Sequence, residues 1–320
     1  MKEQMKKVSV ANFNIVFLEK DDREAPLLEY FDNIIMPALN SNIQKASGED
    51  KYIIMNSEIR ESRNGEYVLT GYFVKKTVLE RYSDLDSDGK LISLDDRYSA
   101  APFSTFIIYL KNHRMIFIEN QKGSPKLSSF RSTVKYILET FVKKHNEGLN
   151  DSSNEVLPIP LVNVIGIPSR KSMENELKDV EKISKLTLRF FPLNGDGDVE
   201  FSGVFSVLSK EFRKVLGSKT GLVQYNSPQN KQGVIEVLSA VEGTVEPIIE
   251  VIDKNNAKKT IRQDRISEHM KMSVSAQNLK EEMEGFIFEG SKLESINYVS
   301  KENRDIYEKS KGKIIPFMKL

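Results

Sequence analysis

Phe106-Ile107-Ile108-Tyr109-Leu110, then Lys111-Asn112-His113-Arg114, then Met115-Ile116-Phe117-Ile118-Glu119, is the clearest structural signal in the chain. Two short apolar runs, rich in β-branched and aromatic residues, bracket four polar ones. Runs of that length and composition are strands, and polar residues between them mark a hairpin. Upstream, Tyr52–Asn56 and Glu66–Val74 have the same composition and flank Asn64-Gly65, a type I′ turn pair, which predicts another hairpin. Val8–Leu18 reads as a strand. Ala25–Leu39 reads as a helix, with Leu28, Phe31, Ile34 and Ile35 at helical spacing and Pro37 ending or kinking it.

Downstream, Ser124-Pro125 supplies an N-cap and a first-turn proline for a helix whose apolar stripe is Leu127, Phe130, Val134, Ile137, Leu138 and Phe141. Its other positions carry Lys126, Arg131, Lys135, Lys143 and Lys144 against Glu139. The stretch Lys143–Pro160 then mixes Gly, Asn, Ser, Asp and Pro, the composition of a linker. Beyond it, strands are expected at Ile159–Ile167, Lys185–Phe191, Leu222–Tyr225 and Val245–Ile252. Helices are expected at Lys171–Ile183, from about Val204 to Leu216, from Ser227-Pro228 to Val241, and near Ala276–Glu284, with Lys258–Ile266 following the Asn255-Asn256 turn. The expected fold is therefore α+β, mixed β-sheets with packed helices, in two domains of residues 1–151 and 152–320 that meet near Ser152.

The 320 residues contain 47 Lys and Arg against 46 Asp and Glu, three His, and neither Cys nor Trp. Without cysteine there is no disulfide frame, no thiolate metal site and no Cys nucleophile, which closes zinc-finger, iron–sulfur and papain-like readings. No span approaches the ~20 apolar residues that cross a bilayer, and the longest apolar run near the start is Ile15–Leu18, so a cytoplasmic protein without direct membrane insertion is expected. A net charge of +1 confines any nucleic-acid surface to a local patch.

Motifs for catalysis are sparse. Asp84-Leu85-Asp86-Ser87-Asp88-Gly89 through Asp95 places oxygens and a glycine as a calcium loop does, but position 12 is Asp95 instead of Glu, and Asp95–Pro102 offers no exit helix. The alternative is an acidic loop around an Asp-Gly turn. Asp196, Asp198 and Glu200 follow a strand in a Gly-rich turn, where two-metal nucleases place carboxylates, yet Asn-Gly-Asp-Gly-Asp is also ordinary turn chemistry. Glu119 and Lys122 are similar to the acid and lysine of restriction-type nucleases, at a spacing one residue too long. His113, His145 and His269 have no triad-like context, and neither GxxxxGK[ST] nor a strand-linked GxGxxG occurs. No motif therefore supports an enzyme.

Charge placement is more informative. Lys122, Lys126, Arg131 and Lys135 form one basic cluster, and Lys258, Lys259, Arg262 and Arg265 form another. Clustered cations neutralise phosphates without reading sequence, whereas a solvated face is the bland alternative. The hairpin ending in His113-Arg114-Met115-Ile116-Phe117-Ile118-Glu119, followed by the Ser/Pro-started helix, resembles a bacterial family associated with phage defence. The order Ile159–Ile167, Met173–Ile183, Leu186–Phe191 is similar to that of RexA-like phage-exclusion proteins. That resemblance implies an α+β, dimeric DNA-binding protein, akin to the DNA-encircling RdgC proteins and acting in phage exclusion. The expected function is sequence-independent binding of double-stranded DNA in an anti-phage system, with a second copy and a membrane or ATPase effector encoded nearby as further candidate partners. A metal-dependent nuclease effector and a non-catalytic scaffold or sensor are the alternatives.

Overall fold

The 106–119 stretch forms the expected hairpin at the centre of the larger of two sheets. The computed structural model describes residues 5–149, 155–195, 211–241 and 243–318. Ser152, the turn carboxylates Asp196, Asp198 and Glu200, and the start of the helix expected from Val204 lie outside the described residues. The fold is α+β, and every ladder between its named strands is antiparallel.

In chain order the strands of the first region are β1 (Lys6–Leu18), β2 (Glu24–Pro26), β3 (Lys45–Ser47), β4 (Asp50–Glu61), β5 (Tyr67–Leu85), β6 (Leu91–Ala100), β7 (Phe103–Tyr109) and β8 (Arg114–Glu119). Helix α1 (Leu127–Asn146) and β9 (Ile159–Gly166) follow. Then come α2 (Arg170–Leu177), β10 (Val180–Phe190), β11 (Gly221–Asn226), α3 (Lys231–Ala240), β12 (Val245–Asp253) and β13 (Lys258–Arg262). The chain closes with β14 (His269–Met272), α4 (Leu279–Gly290) and α5 (Lys301–Ile314).

The larger sheet runs β14-β1-β8-β7-β5-β4-β3, with β2 and β9 also on β1 and β6 on the outer half of β5. Its central strands are buried without alternation: Phe106 to Leu110 and Met115 to Ile118 are nearly inaccessible throughout. Both faces are covered, which is why these strands read as unbroken apolar runs. One face, with Phe13, Phe73, Phe106 and Phe117, packs around Phe130 of α1, the ring centroids lying 5.1 to 6.2 Å from it. On the other, Val8, Val10, Ile107 and Ile116 meet Met283, Phe286 and Ile287 of α4. Each such side chain contributes roughly 1.5–3 kcal/mol relative to exposure. Gly71 of β5 is small by necessity, because a Cβ there would lie 2.5 Å from the Phe106 ring.

The smaller sheet, order β11-β10-β12-β13, is inserted between β9 and β14. Entry and exit lie side by side: the Ser169 amide donates to the Ile266 carbonyl at 2.8 Å and the Glu268 amide to the Ile167 carbonyl at 2.7 Å. Since β9 and β14 both pair with β1, and Tyr307 and Ile314 of α5 enter the first core, residues on both sides of 152 build the larger sheet.

Several elements differ from their expected form. The Ala25–Leu39 segment is a strand end followed by a 3₁₀ turn at Leu27–Tyr30, a π turn at Phe31–Ile35 and an α turn at Met36–Leu39. Pro37 has no N–H to give, and the widened turn before it accommodates the missing bond. The 62–66 turn has positive φ at Gly65 and not at Asn64, so it is a type I turn closed by a left-handed glycine instead of type I′. Helix α1 starts at Leu127 because Ser124 Oγ donates instead to the Phe103 carbonyl at 2.6 Å. Helix α2 ends at Leu177. Val180 and Ile183, three apart like helical residues, belong to β10, where two register shifts break the alternation. Asn230 and Asn278 cap α3 and α4, both starting later than expected.

Candidate nucleic-acid interface

Among the described residues the smaller sheet is covered on one face. Leu186, Leu188 and Phe190 of β10, Val245, Ile249 and Val251 of β12 and Ile261 of β13 pack with Met173 and Leu177 of α2 and Val234, Ile235 and Leu238 of α3. Antiparallel pairing then fixes what the other face carries, since paired residues point the same way. Lys182 opposes Ile252, Lys185 opposes Glu250, Thr187 opposes Ile248 and Arg189 opposes Glu246 across β10 and β12. On β13, Arg262, Thr260 and Lys258 oppose Ile248, Glu250 and Ile252. Among the described residues the outer face of these three strands thus presents Lys182, Lys185, Arg189, Lys258 and Arg262 against Glu246 and Glu250.

The surplus is positive and only partly neutralised. Lys185 Nζ lies 3.1 Å from Glu250 Oε1, and Arg189 lies 3.8 Å from Glu246. Lys258 and Arg262 make no ion pair among the described residues. As β13 is an edge strand, these two cations also discourage addition of a foreign strand.

Helix α1 meets this face at Arg131. Its guanidinium donates to Glu246 Oε1 at 2.9 Å and to Asn163 Oδ1 of β9 at 3.2 Å, and lies 5.9 Å from the Phe191 ring centre. Arg131 is therefore a joint between the two sheets rather than a spare phosphate ligand. Lys135, one helical turn further, is exposed and lies 3.8 Å from Glu139. Lys122, in the turn before the helix, and Lys126, at its N-cap, are exposed. Of these three lysines, Lys135 is the one that the helical repeat places next to Arg131.

The second predicted cluster is divided. Lys258 and Arg262 stay on the open face. Lys259 points the other way and reaches Asp253 at 2.5 Å, and that ammonium, with the amides of Ala257 and Asn255, holds the Asp253 carboxyl below its usual range. Arg265 lies in the Gln263–Ile266 turn on the helical side, 3.3 Å from Glu176 of α2. Lys182, Lys185 and Arg189 were not among the expected site residues. Their signal is the complement of the apolar alternation: Lys185, Thr187 and Arg189 interleave Leu186, Leu188 and Phe190.

Further ties hold the insertion against the larger sheet. Asn14 Nδ2 donates to the Pro192 carbonyl at 2.6 Å, the Leu27 amide to Asn194 Oδ1 at 2.7 Å, and Ser300 Oγ to the Gly195 carbonyl at 2.8 Å. Buried Arg213 donates to Glu24 Oε1 at 2.9 Å. The open face is therefore presented at a set angle to α1.

The Asp84–Asp95 stretch is a hairpin tip. Leu85 pairs with Leu91, and Asp86 Oδ1 accepts the amides of Asp88 and Lys90 at 3.0 and 2.8 Å while Gly89 takes a positive φ. Asp84 faces Arg81 at 2.8 Å, and Asp95 lies on β6. Among the described residues no group of three or more His, Asp or Glu side chains is gathered as a cation site. Nor is any helix there long and apolar enough to cross a membrane. No protein-family model matches the chain, and no curated protein matches it.

Proposed function

We propose that the open face of the smaller sheet, together with the exposed lysines Lys122, Lys126 and Lys135, binds the phosphates of double-stranded DNA without reading sequence. The observation that carries this reading is the uncovered face with Lys182, Lys185, Arg189, Lys258 and Arg262 against two carboxylates. Among the described residues, its others, Thr187, Ile248, Ile252 and Thr260 with Leu222, Gln224 and Asn226 of β11, include no ring on which a base could stack, which favours duplex backbone over single strands. The setting we propose, a DNA-binding component of a prokaryotic anti-phage system, rests on the resemblance to phage-exclusion proteins.

The test is a titration of labelled duplexes of unrelated sequence with the wild-type chain and with Lys185→Ala/Lys258→Ala/Arg262→Ala. The variant should bind every duplex more weakly by a common factor and melt as the wild type does. No binding at low salt, or affinity unaltered in the variant, would leave the scaffold reading in its place. Plating efficiency of phage on cells carrying each version tests the biological half.

A further inference from the structure

Glu246 has one oxygen more than its place in the joint requires. It stands directly opposite Arg189 in the ladder of β10 and β12, where the open face meets α1. Its Oε1 accepts the Arg131 guanidinium at 2.9 Å. Its Oε2 is shielded from water, accepts no hydrogen bond among the described residues, and has Arg189 3.8 Å away. An anionic oxygen cut off from both water and donors is costly to keep. The joint accounts for Oε1 alone.

The two arginines around this carboxylate are held unequally. Arg131 has two hydrogen bonds and the Phe191 ring, and its side chain is 24% exposed. Arg189 is 44% exposed, its guanidinium makes no hydrogen bond among the described residues, and its one ion pair there is the 3.8 Å approach to Oε2. A contact of that length on an exposed side chain is weak, whereas the guanidinium fork takes two phosphate oxygens at once. Arg189 can leave the carboxylate and Arg131 stays.

We infer that Glu246 sets the affinity of the DNA face: at rest its second oxygen holds Arg189 in the place of a phosphate, and a bound duplex takes Arg189 from it. This rests on the DNA binding proposed above. Each binding event then leaves a shielded oxygen without its cation, so the gain at Arg189 is largely offset. Glu250 supplies the comparison. It also faces a cation, Lys185 at 3.1 Å, but its side chain is 44% exposed against 15% for Glu246, and water replaces the departing lysine.

Titration of a labelled duplex over a series of salt concentrations tests this, with Glu246→Gln, Glu250→Gln, Arg189→Ala and Glu246→Gln/Arg189→Ala beside the wild type. Glu246→Gln keeps an oxygen for Arg131 and should tighten binding about 10-fold, with a salt slope steeper by about 0.9. Glu250→Gln should change affinity by less than about 3-fold, and Glu246→Gln should add less than about 2-fold once Arg189 is gone. A mere loss of negative charge would help equally with or without Arg189. An equal gain in both backgrounds, or a Glu246→Gln chain that binds no tighter than Glu250→Gln, overturns the inference. The DNA reading survives that result if Lys185→Ala/Lys258→Ala/Arg262→Ala still weakens binding, whereas a wild type that binds no duplex overturns both. Arg189→Ala lies at an exposed position and folds whether or not Glu246→Gln does. Unaltered affinity in Arg189→Ala also overturns the inference.

Discussion

The central strands of the larger sheet are covered on both faces and, among the described residues, the smaller sheet on a single face, and this difference decides where charge can sit. In β7 and β8 every position from Phe106 to Leu110 and from Met115 to Ile118 is committed to one core or the other, so an ion there would lose its water without gaining a partner. In β10 and β12 alternate positions face water, and Lys185, Arg189 and Glu250 occupy them at little cost. The body supplies rigidity and the insertion supplies a surface. Arg131 is where the two demands meet.

The sharpest contrast comes from emptying the first core. Phe130→Ala removes the ring around which Phe13, Phe73, Phe106 and Phe117 are packed and should cost about 3–5 kcal/mol, read by denaturant unfolding. A loss below about 1 kcal/mol would mean that α1 is not the cover of that face. Arg131→Ala should come next, at about 1–3 kcal/mol, because it leaves the mostly buried Glu246 and Asn163 short of a donor. Lys126→Ala, on the same helix, should leave stability unchanged. If the two behaved alike, Arg131 would not be the joint between the sheets.

Alkaline pH probes the body alone. Tyr307 and Tyr109 are buried in it, the Tyr109 hydroxyl donating to the Ile287 carbonyl at 2.8 Å, and burial pushes Tyr307 up to about 12 and Tyr109 higher. The folded chain therefore keeps protons that the unfolded chain releases near pH 10. Stability is full below pH 10 and falls as pH rises through 12, and Tyr109→Phe should soften that fall while costing about 1 kcal/mol at neutral pH. The smallest effect is expected on the open face, where Lys185→Ala, Lys258→Ala and Arg262→Ala should each shift stability by less than about 0.5 kcal/mol.

How much of this was legible in the sequence depended on whether local pattern and tertiary demand agreed. The two central hairpins and the stripe of α1 were legible because their apolar runs and spacing match what the cores require. The first half of β10 was not, since its bulges space Val180 and Ile183 as a helix would. The hairpin of β5 and β6 was hidden for another reason: its acidic turn has the composition of a cation loop, and only the pairing of Leu85 with Leu91 makes it a hairpin. Long-range pairing, such as that of β9 and β14 with β1, leaves no local trace. The basic clusters were visible as charge. What could not be seen was that Lys259 and Arg265 turn toward Asp253 and Glu176, or that Lys182, Lys185 and Arg189 join Lys258 and Arg262 on one face.

If this face grips duplex phosphates as proposed, the salt dependence of binding reads it out directly. For the wild type, log affinity for duplex DNA should fall linearly with log salt, at a slope of about −0.9 for each phosphate neutralised. Removing Lys185, Lys258 and Arg262 should make that slope shallower by about 1 for each residue that contacts a phosphate, equally on unrelated sequences. The same line for wild type and triple variant, or an affinity flat between low and physiological salt, would contradict the account.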